Sequence, residues 1–598
     1  MNQKPPFHKY IHILLLLSTL FLLLCGLLSC TPAIDVDSPE TKASQEAFEA
    51  FLNDQFCSSF ENELINLHFT LKNPAAFGIE KPKKASSDIT LHYPEQMKQD
   101  LSKTQESLHQ INQNYLTEDQ RRIYLTLDKY LDQQIKLCDY PHFLNLLSYA
   151  SGLSSNLPLT LAEYTFYTEA DVKDYLSILP QIPDLLGQAY AWEQNQIKTG
   201  YGMTDFEIDH TIEQIEIFLH TSETNLLIDT FESRIDSLTG LSSDQKNTYL
   251  KNNDQLITNT IIPAFENLKQ SLNSLKKSAS DGKGLCQYED GLAYYEVLLA
   301  SMTLSDQSWS SMIRSLENRL EEITDRISTV VMKNSNSYDA FLSSMKPGAL
   351  PDQTPSAMLL YLQEAITKDY PNLSGVTYKV EPIPEALEND TTAAYYLIPP
   401  YDSPEENRIY YGKACTDNAS LFMTLSHEGY PGHLYHQNYL LANDLSPIFY
   451  VMDITGYKEG WAFYAEIDAA DYYDFGKYEE YHDELTELYR CNLEYSYCIS
   501  SLIDLYVNAL GYSQQDICDF VSSFGMDTET GISLYEYAIE EPGTYLQYYI
   551  GYLEIMDIRK DAEERQGKNF DKRAFHRAFL DLGPCFYADL TKYMAENY

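Results

Sequence analysis

With 598 residues, 44% of them hydrophobic, the chain has the composition of a folded protein and is long enough to bury a large core in one or more domains. A formal net charge of −46 excludes nucleic acid as a partner, because phosphate binding needs a basic footprint. The same charge gives the folded body no means of adhering to anionic lipid.

At the N-terminus, Lys4 and Lys9 precede an apolar run from Ile11 to Leu24, closed by Leu27-Leu28-Ser29-Cys30. This is the form of a bacterial secretory signal. The small residue before Cys30 resembles a lipoprotein cleavage box. Residues 1–29 are therefore expected to be a lipoprotein signal peptide and residues 30–43 a polar tether. Cys30 becomes the lipid-modified first residue of an extracytoplasmic, membrane-anchored protein. A permanent transmembrane helix is the competing reading, since the run approaches the roughly 20 apolar residues that span a bilayer; Cys30 at this position favours the lipoprotein.

Ten cysteines less Cys25 and Cys30 leave eight, with no CxxC pair or dense framework. Zinc–thiolate chemistry is not expected, and any disulfide pairing stays open. Cys491 and Cys498 have a spacing that suits one helical face.

Residues 44–346 read as a helical scaffold. Ala47–Leu71, Pro94–Leu137, Val172–Lys198, Asp205–Leu238 and Ser243–Ala279 carry apolar residues at three- and four-residue steps. This half lacks a clustered set of metal-ligating residues and supplies walls of a cleft. Composition shifts after Lys346, where prolines interrupt the helices. Val376–Val380, Ala393–Ile398 and Arg408–Tyr411 have strand character. A short sheet there fits either a structural hairpin or an edge that pairs with an extended peptide.

Residues 347–598 hold the candidate chemistry. Ser426-His427-Glu428-Gly429-Tyr430-Pro431-Gly432-His433-Leu434-Tyr435-His436 packs three of the chain's thirteen histidines around one carboxylate. In a helical zinc peptidase, H-E-x-x-H sets two imidazoles one turn apart and the glutamate activates water. Here the first two histidines are six residues apart. That spacing advances an ideal helix by about 600°, so His427 and His433 would not share a face. Pro431 and Gly432 predict a bulge or break that returns His433 to the metal. His436 either orients a ligand or replaces His433. In the next element, Glu459, Phe463 and Glu466 fall at i, i+4 and i+7, on one stripe of a helix. Glu459 would complete a His, His, Glu set and leave the fourth zinc position open.

Helices are also expected over Asn418–Glu428, Tyr478–Leu510 and Tyr545–Arg565. Tyr548 and Arg559 lie three turns apart on one face of the last. The tyrosine is the candidate oxyanion donor and the arginine the candidate clamp for a substrate carboxylate, or the partner of a structural acid. His576 is either a supporting group behind the ligands and donor to the transition state, or a packed core histidine.

The motif His427-Glu428-x-x-Pro431-Gly432-His433 followed by Glu459-Gly460-Trp461-Ala462-x-Tyr464-Ala465-Glu466 resembles the signature of the DUF885 family of bacterial proteins. Tyr548-Tyr549-Ile550-Gly551, Ile558-Arg559, Phe570-Asp571, Phe575-His576 and Leu582-Gly583 extend the match. The arrangement is also similar to the oligopeptidase and carboxypeptidase branches of the gluzincin metallopeptidases. The resemblance implies a mainly α, metallopeptidase-like fold with a deep cleft and a small β-sheet beside the metal-binding helix. It implies His427, His433 and Glu459 as ligands of Zn2+, Glu428 as general base, and short peptides as substrates. The alternatives are a surface lipoprotein that binds peptides or solutes without turnover, and a zinc amidohydrolase acting on another substrate. Oligomeric state and direction of cleavage are not legible.

Overall fold

A computed structural model of the chain describes residues 38–220, 225–346, 353–383, 393–413 and 417–598. The expected signal peptide and Cys30 lie outside the described residues. No described helix is long and apolar enough to cross a membrane. The fold is mainly α-helical, with one three-stranded sheet.

The helices of the first half follow the apolar periodicity but are shorter than that periodicity alone implies, and each break has a local cause. Ser38 accepts from Thr41 N and Pro39 sits in the first turn, so a helix starts at Pro39 and runs to Ser58. The last residues of the expected tether are therefore helical. A second short helix, Leu64–Thr70, follows. Before it, Glu63 accepts from Ser87 N at 2.8 Å, tying the chain to a distant loop. The stretch expected from Pro94 to Leu137 divides into Tyr93–His109 and Glu118–Leu137, the second opened by a capping box between Thr117 and Gln120. Pro180 and Pro183 divide the next stretch into Glu169–Ile178 and Ile182–Thr199. Pro263 has no N–H to give the preceding turn, and the helix widens into a π turn at Ile257–Ile261 just before it.

Two large hydrophobic cores result. One is built by residues from Leu64 to Leu275 of the N-terminal half. The other joins Phe48, Leu52 and the helix Glu118–Leu137 to most of the buried apolar residues described between Tyr295 and Met594. The helix Trp309–Lys333, with its buried stripe Met312, Leu316, Leu320 and Ile323, belongs to this second core and packs along the helix His482–Asn508. Across that contact Glu494, almost fully buried, is held by both Arg319 and Arg326. The seven cysteines among the described residues are all free thiols, and Cys491 and Cys498 are both buried on one helix, about two turns apart.

The sheet comprises β1 (Tyr378–Pro382), β2 (Ala394–Leu397) and β3 (Asn407–Tyr411) in the order β1-β3-β2. β1 runs parallel to β3, and β2 antiparallel to it with Tyr396 opposite Ile409. β2 is thus an edge strand among the described residues. Its free side faces the helix Asn418–Glu428.

Candidate metal centre

Asp417 opens the helix Asn418–Glu428, its carboxylate accepting from Ala419 N and Ser420 N at 3.0 and 2.9 Å. The helix ends at Glu428, and a new one, His433–Ala442, starts after four intervening residues. The break expected at Pro431-Gly432 is therefore complete, and it is closed by specific bonds. Gly432 N donates to Ser426 O at 2.9 Å and Tyr435 N to Gly429 O at 3.0 Å. Trp461 Nε1 donates to Pro431 O at 3.0 Å. The backbone at Gly432 passes so near the end of the first helix that a Cβ there would lie 1.8 Å from His427 O; only glycine fits.

This turn brings the two imidazoles together, with ring centroids 4.8 Å apart and planes nearly perpendicular. The helix Thr455–Ala469 crosses behind them and aims Glu459 at both. Its Oε2 lies 3.4 Å from His427 Nε2 and 3.3 Å from His433 Nε2. These contacts are longer than a charge-assisted hydrogen bond of about 2.7–2.9 Å. The same oxygen is buried without a hydrogen-bond partner among the described residues. A tetrahedral zinc with bonds of about 2.0–2.1 Å sets its ligand atoms roughly 3.3 Å apart. The donor set, the spacing and the orphaned oxygen all fit a zinc ion held by His427, His433 and Glu459. Among the described residues, this is the one group of such side chains close enough to share an ion.

The expected stripe of carboxylates also behaves as a stripe. About two turns beyond Glu459, Glu466 Oε2 lies 3.0 Å from His427 Nδ1. That contact gives Nδ1 the proton and leaves Nε2 for a metal. Burial works to lower the His427 pKa, but the carboxylates of Glu459, Glu466 and Glu428 outweigh it and hold the imidazole well above its ordinary value. In Glu459 the balance runs the other way: desolvation is overcome by His433 and His427, and its carboxyl sits well below the usual range.

Glu428, next to the first ligand, makes no ion pair with the imidazoles. Its Oε2 accepts from Tyr396 N of β2 at 2.9 Å. Burial raises its pKa, opposed by the nearby histidines. Tyr548, on the helix Thr544–Gln566, stacks at 6.2 Å from His427. Burial, with Glu459 and Glu428 nearby, keeps its phenol protonated far above its ordinary range. Its hydroxyl has no hydrogen-bond partner among the described residues. His427, Glu428, His433, Glu459 and Tyr548 line one cavity of about 350 Å³, walled on the far side by Ala394, Tyr395 and Tyr396 of β2.

Arg559 and His576 take the structural alternatives open to them from the sequence, and His436 stands outside the ligand group. Arg559 lies in a different, charged cleft, where its guanidinium meets Asp468 at 3.3 Å, Glu563 at 2.9 Å and the Tyr464 hydroxyl at 3.0 Å. The helix bearing it does place Tyr548 at the site, but eleven residues on, the same helix has left the cavity behind. His576 is fully buried; its Nδ1 faces Asp369 O at 2.6 Å and its Nε2 the Tyr464 hydroxyl at 2.7 Å. It is a packed, hydrogen-bonded core histidine stacked on Tyr370. His436 lines the cavity but stacks on Trp461 and lies outside the ligand group.

Two neighbours were missed from the sequence. Tyr396 acts through its backbone N–H, for which no side-chain signal exists. Lys458 lines the cavity beside Glu459, and its position in the motif was readable although its role was not.

Comparison with known proteins agrees with this architecture. Residues 74–593 match the family described as bacterial protein of unknown function (DUF885), and the chain belongs to that family. A crystal structure described as a lipoprotein from Colwellia psychrerythraea superposes with a TM-score of 0.80 at 15% identity, covering 92% of this chain and 99% of that one. Another, described as a lipoprotein of unknown function from Shewanella oneidensis, gives 0.61 at 15% identity, covering 91% and 99%. A carboxypeptidase from Pyrococcus furiosus matches at 10% identity, covering 94% and 99%, with a TM-score of 0.37, too loose a likeness to carry an inference. No curated protein matches the sequence significantly.

Proposed function

We propose that this member of the DUF885 family is a zinc-dependent hydrolase of peptide bonds in short peptides, held outside the cytoplasm by a lipid on Cys30. The observation that carries the reading is the convergence of His427, His433 and the orphaned Glu459 oxygen, with Glu428 beside them and free of their contacts. The extracytoplasmic part rests on the N-terminal sequence and is supported by two structural relatives being described as lipoproteins.

Zinc bound at this site supplies Lewis acidity, making water acidic near neutral pH and polarising a carbonyl. The chain's own groups do the rest. Glu428, oriented by Tyr396 N, accepts a proton from the attacking water and later delivers it to the leaving amine. Tyr548 donates its phenolic hydrogen bond to the oxygen on which charge develops. Glu466 keeps the proton of His427 on Nδ1. The ligand side chains are only 10–17% exposed, so substrate must enter a recess, which favours short flexible chains over folded proteins.

The test is metal content and hydrolysis by the soluble chain from Thr31 onward, purified without a chelating tag. About one zinc per chain is expected, lost in His427→Ala. Glu428→Gln should keep the metal and lose hydrolysis by about 10²–10⁴-fold. Absence of zinc in the unsubstituted protein, even after the ion is supplied, would sink the reading.

A further inference from the structure

Next to the metal centre lies a second cavity of about 350 Å³, lined by apolar side chains that include Ile398, Leu440, Phe449, Tyr450 and Ile454. Tyr396, Ile398, His436, Gln437 and Lys458 line both cavities, so the two adjoin each other at these residues. Two polar groups stand at this junction with nothing to bind.

The first is Lys458. Its ammonium has no carboxylate within ion-pair distance and no hydrogen-bond acceptor among the described residues. The two carboxylates that influence it most are engaged elsewhere. Asp453 accepts from Thr455 N at 3.1 Å and from its hydroxyl at 2.5 Å. Glu459 is turned to the imidazoles. A half-buried ammonium that lines a cavity with no partner in the fold is an arrangement a ligand anion would complete. The second is His436, 2% exposed, whose Nε2 is buried without a hydrogen-bond partner. An imidazole nitrogen with no partner in the fold can present one N–H to a ligand oxygen.

We propose that Lys458 and His436 bind the free C-terminal carboxylate of the substrate, with the side chain of that same terminal residue in the apolar cavity. The role assigned from sequence to Arg559, already spent on Asp468 and Glu563, passes to Lys458. A C-terminal carboxylate fits better than an acidic side chain because the charge lies between the metal centre and an apolar cavity. Anion and apolar group must then leave the same residue, and glutamate carries its charge at the tip. The peptides cleaved are accordingly those ending in an apolar residue, released from the C-terminus.

This specificity deepens the hydrolase reading and rests on it for turnover, but carboxylate recognition is measurable without turnover. N-acetyl-leucine, N-acetyl-leucinamide and the α-amide of N-acetylglutamate are titrated calorimetrically into the protein, zinc-loaded and zinc-free. The leucine acid should bind about 10- to 100-fold more tightly than its amide in both forms, as a charge-assisted bond warrants. Lys458→Met should abolish that preference and Lys458→Arg retain most of it. Equal binding of acid and amide, tighter binding of the glutamate amide, or a preference that survives Lys458→Met would overturn the proposal. Acid preference with no hydrolysis of any peptide would overturn the hydrolase reading while leaving the carboxylate site standing.

Discussion

A ligand histidine is only as good as what holds its other nitrogen. Glu466 lies two stripe positions beyond Glu459 and meets His427 Nδ1 at 3.0 Å, so one helix supplies both a metal ligand and the group that orients another ligand. Replacing Glu466 with alanine should therefore weaken zinc binding by about 10- to 100-fold without removing any ligand, read by competition with a chelator of known affinity. Unchanged affinity would mean that the turn at Gly432 alone orients His427. At this scale the sequence was informative where chemistry and spacing coincide: two histidines, Glu428, and carboxylates at i and i+7. It was silent where a residue's partner is remote. Arg559 and Asp468 are 91 positions apart, so nothing near Arg559 in sequence announces that its charge is already used.

Between elements, the site depends on how closely the helix Thr455–Ala469 approaches the helix Thr544–Gln566, since one carries Glu459 and the other Tyr548. Gly460 and Gly551 make that approach possible. A Cβ built on Gly460 would stand 2.7 Å from Gly551 Cα and 2.3 Å from the Tyr587 hydroxyl, which itself bonds Gly456 O. Gly460→Ala must therefore part the helices or expel Tyr587. A loss of roughly 1–3 kcal/mol is expected, seen as a lowered thermal midpoint, together with weakened zinc binding because Glu459 is the adjacent residue. A variant with unaltered stability would show that the crossing has slack. The helical character of the first half and the three strands were legible from periodicity, the strands to within two residues at each end. The positions at which long periodic stretches divide were less so, because a capping box such as that at Thr117, or a carboxylate tied to a distant loop such as Glu63, marks a new helix start without proline or glycine.

At the scale of the molecule, the two cores meet along contacts rich in carboxyl groups. His210 of the first half pairs with Glu540 of the second at 2.6 Å. Close by, Glu207 is pushed up to about 8 from its ordinary 4.5 by burial, and Glu193 to about 7 for the same reason. A carboxyl with a raised pKa holds its proton in the folded state after the unfolded chain has released it. Its contribution to stability is full below about pH 4.5 and fades as pH rises through the folded value. Histidines kept neutral by burial, such as His68 and His576, act in the opposite sense, but only below their ordinary 6.5. Between about pH 7 and 9 those neutral histidines no longer titrate, while the raised carboxyls lose their contribution alongside His427 and His210, whose carboxylate partners raise their pKa: stability to denaturant should fall across that range, and Glu207→Gln should make the fall shallower. A slope unchanged by the substitution would place the pH dependence elsewhere. None of this was visible in sequence, where Glu193 and Glu207 look like any two acids in a chain that has 88.

The indole of Trp461 has a consequence of a different kind. The chain contains three tryptophans, and this one is fully buried, stacks between His436 and Phe579, and bonds the carbonyl of Pro431 inside the turn that joins the two imidazoles. Trp192 and Trp309 lie in other helices, remote in sequence from that turn. The protein thus carries its own fluorophore at the back of the site, wired by one hydrogen bond to the segment that must hold still for a metal to stay. Light emitted from that ring reports on the turn directly, with no label added.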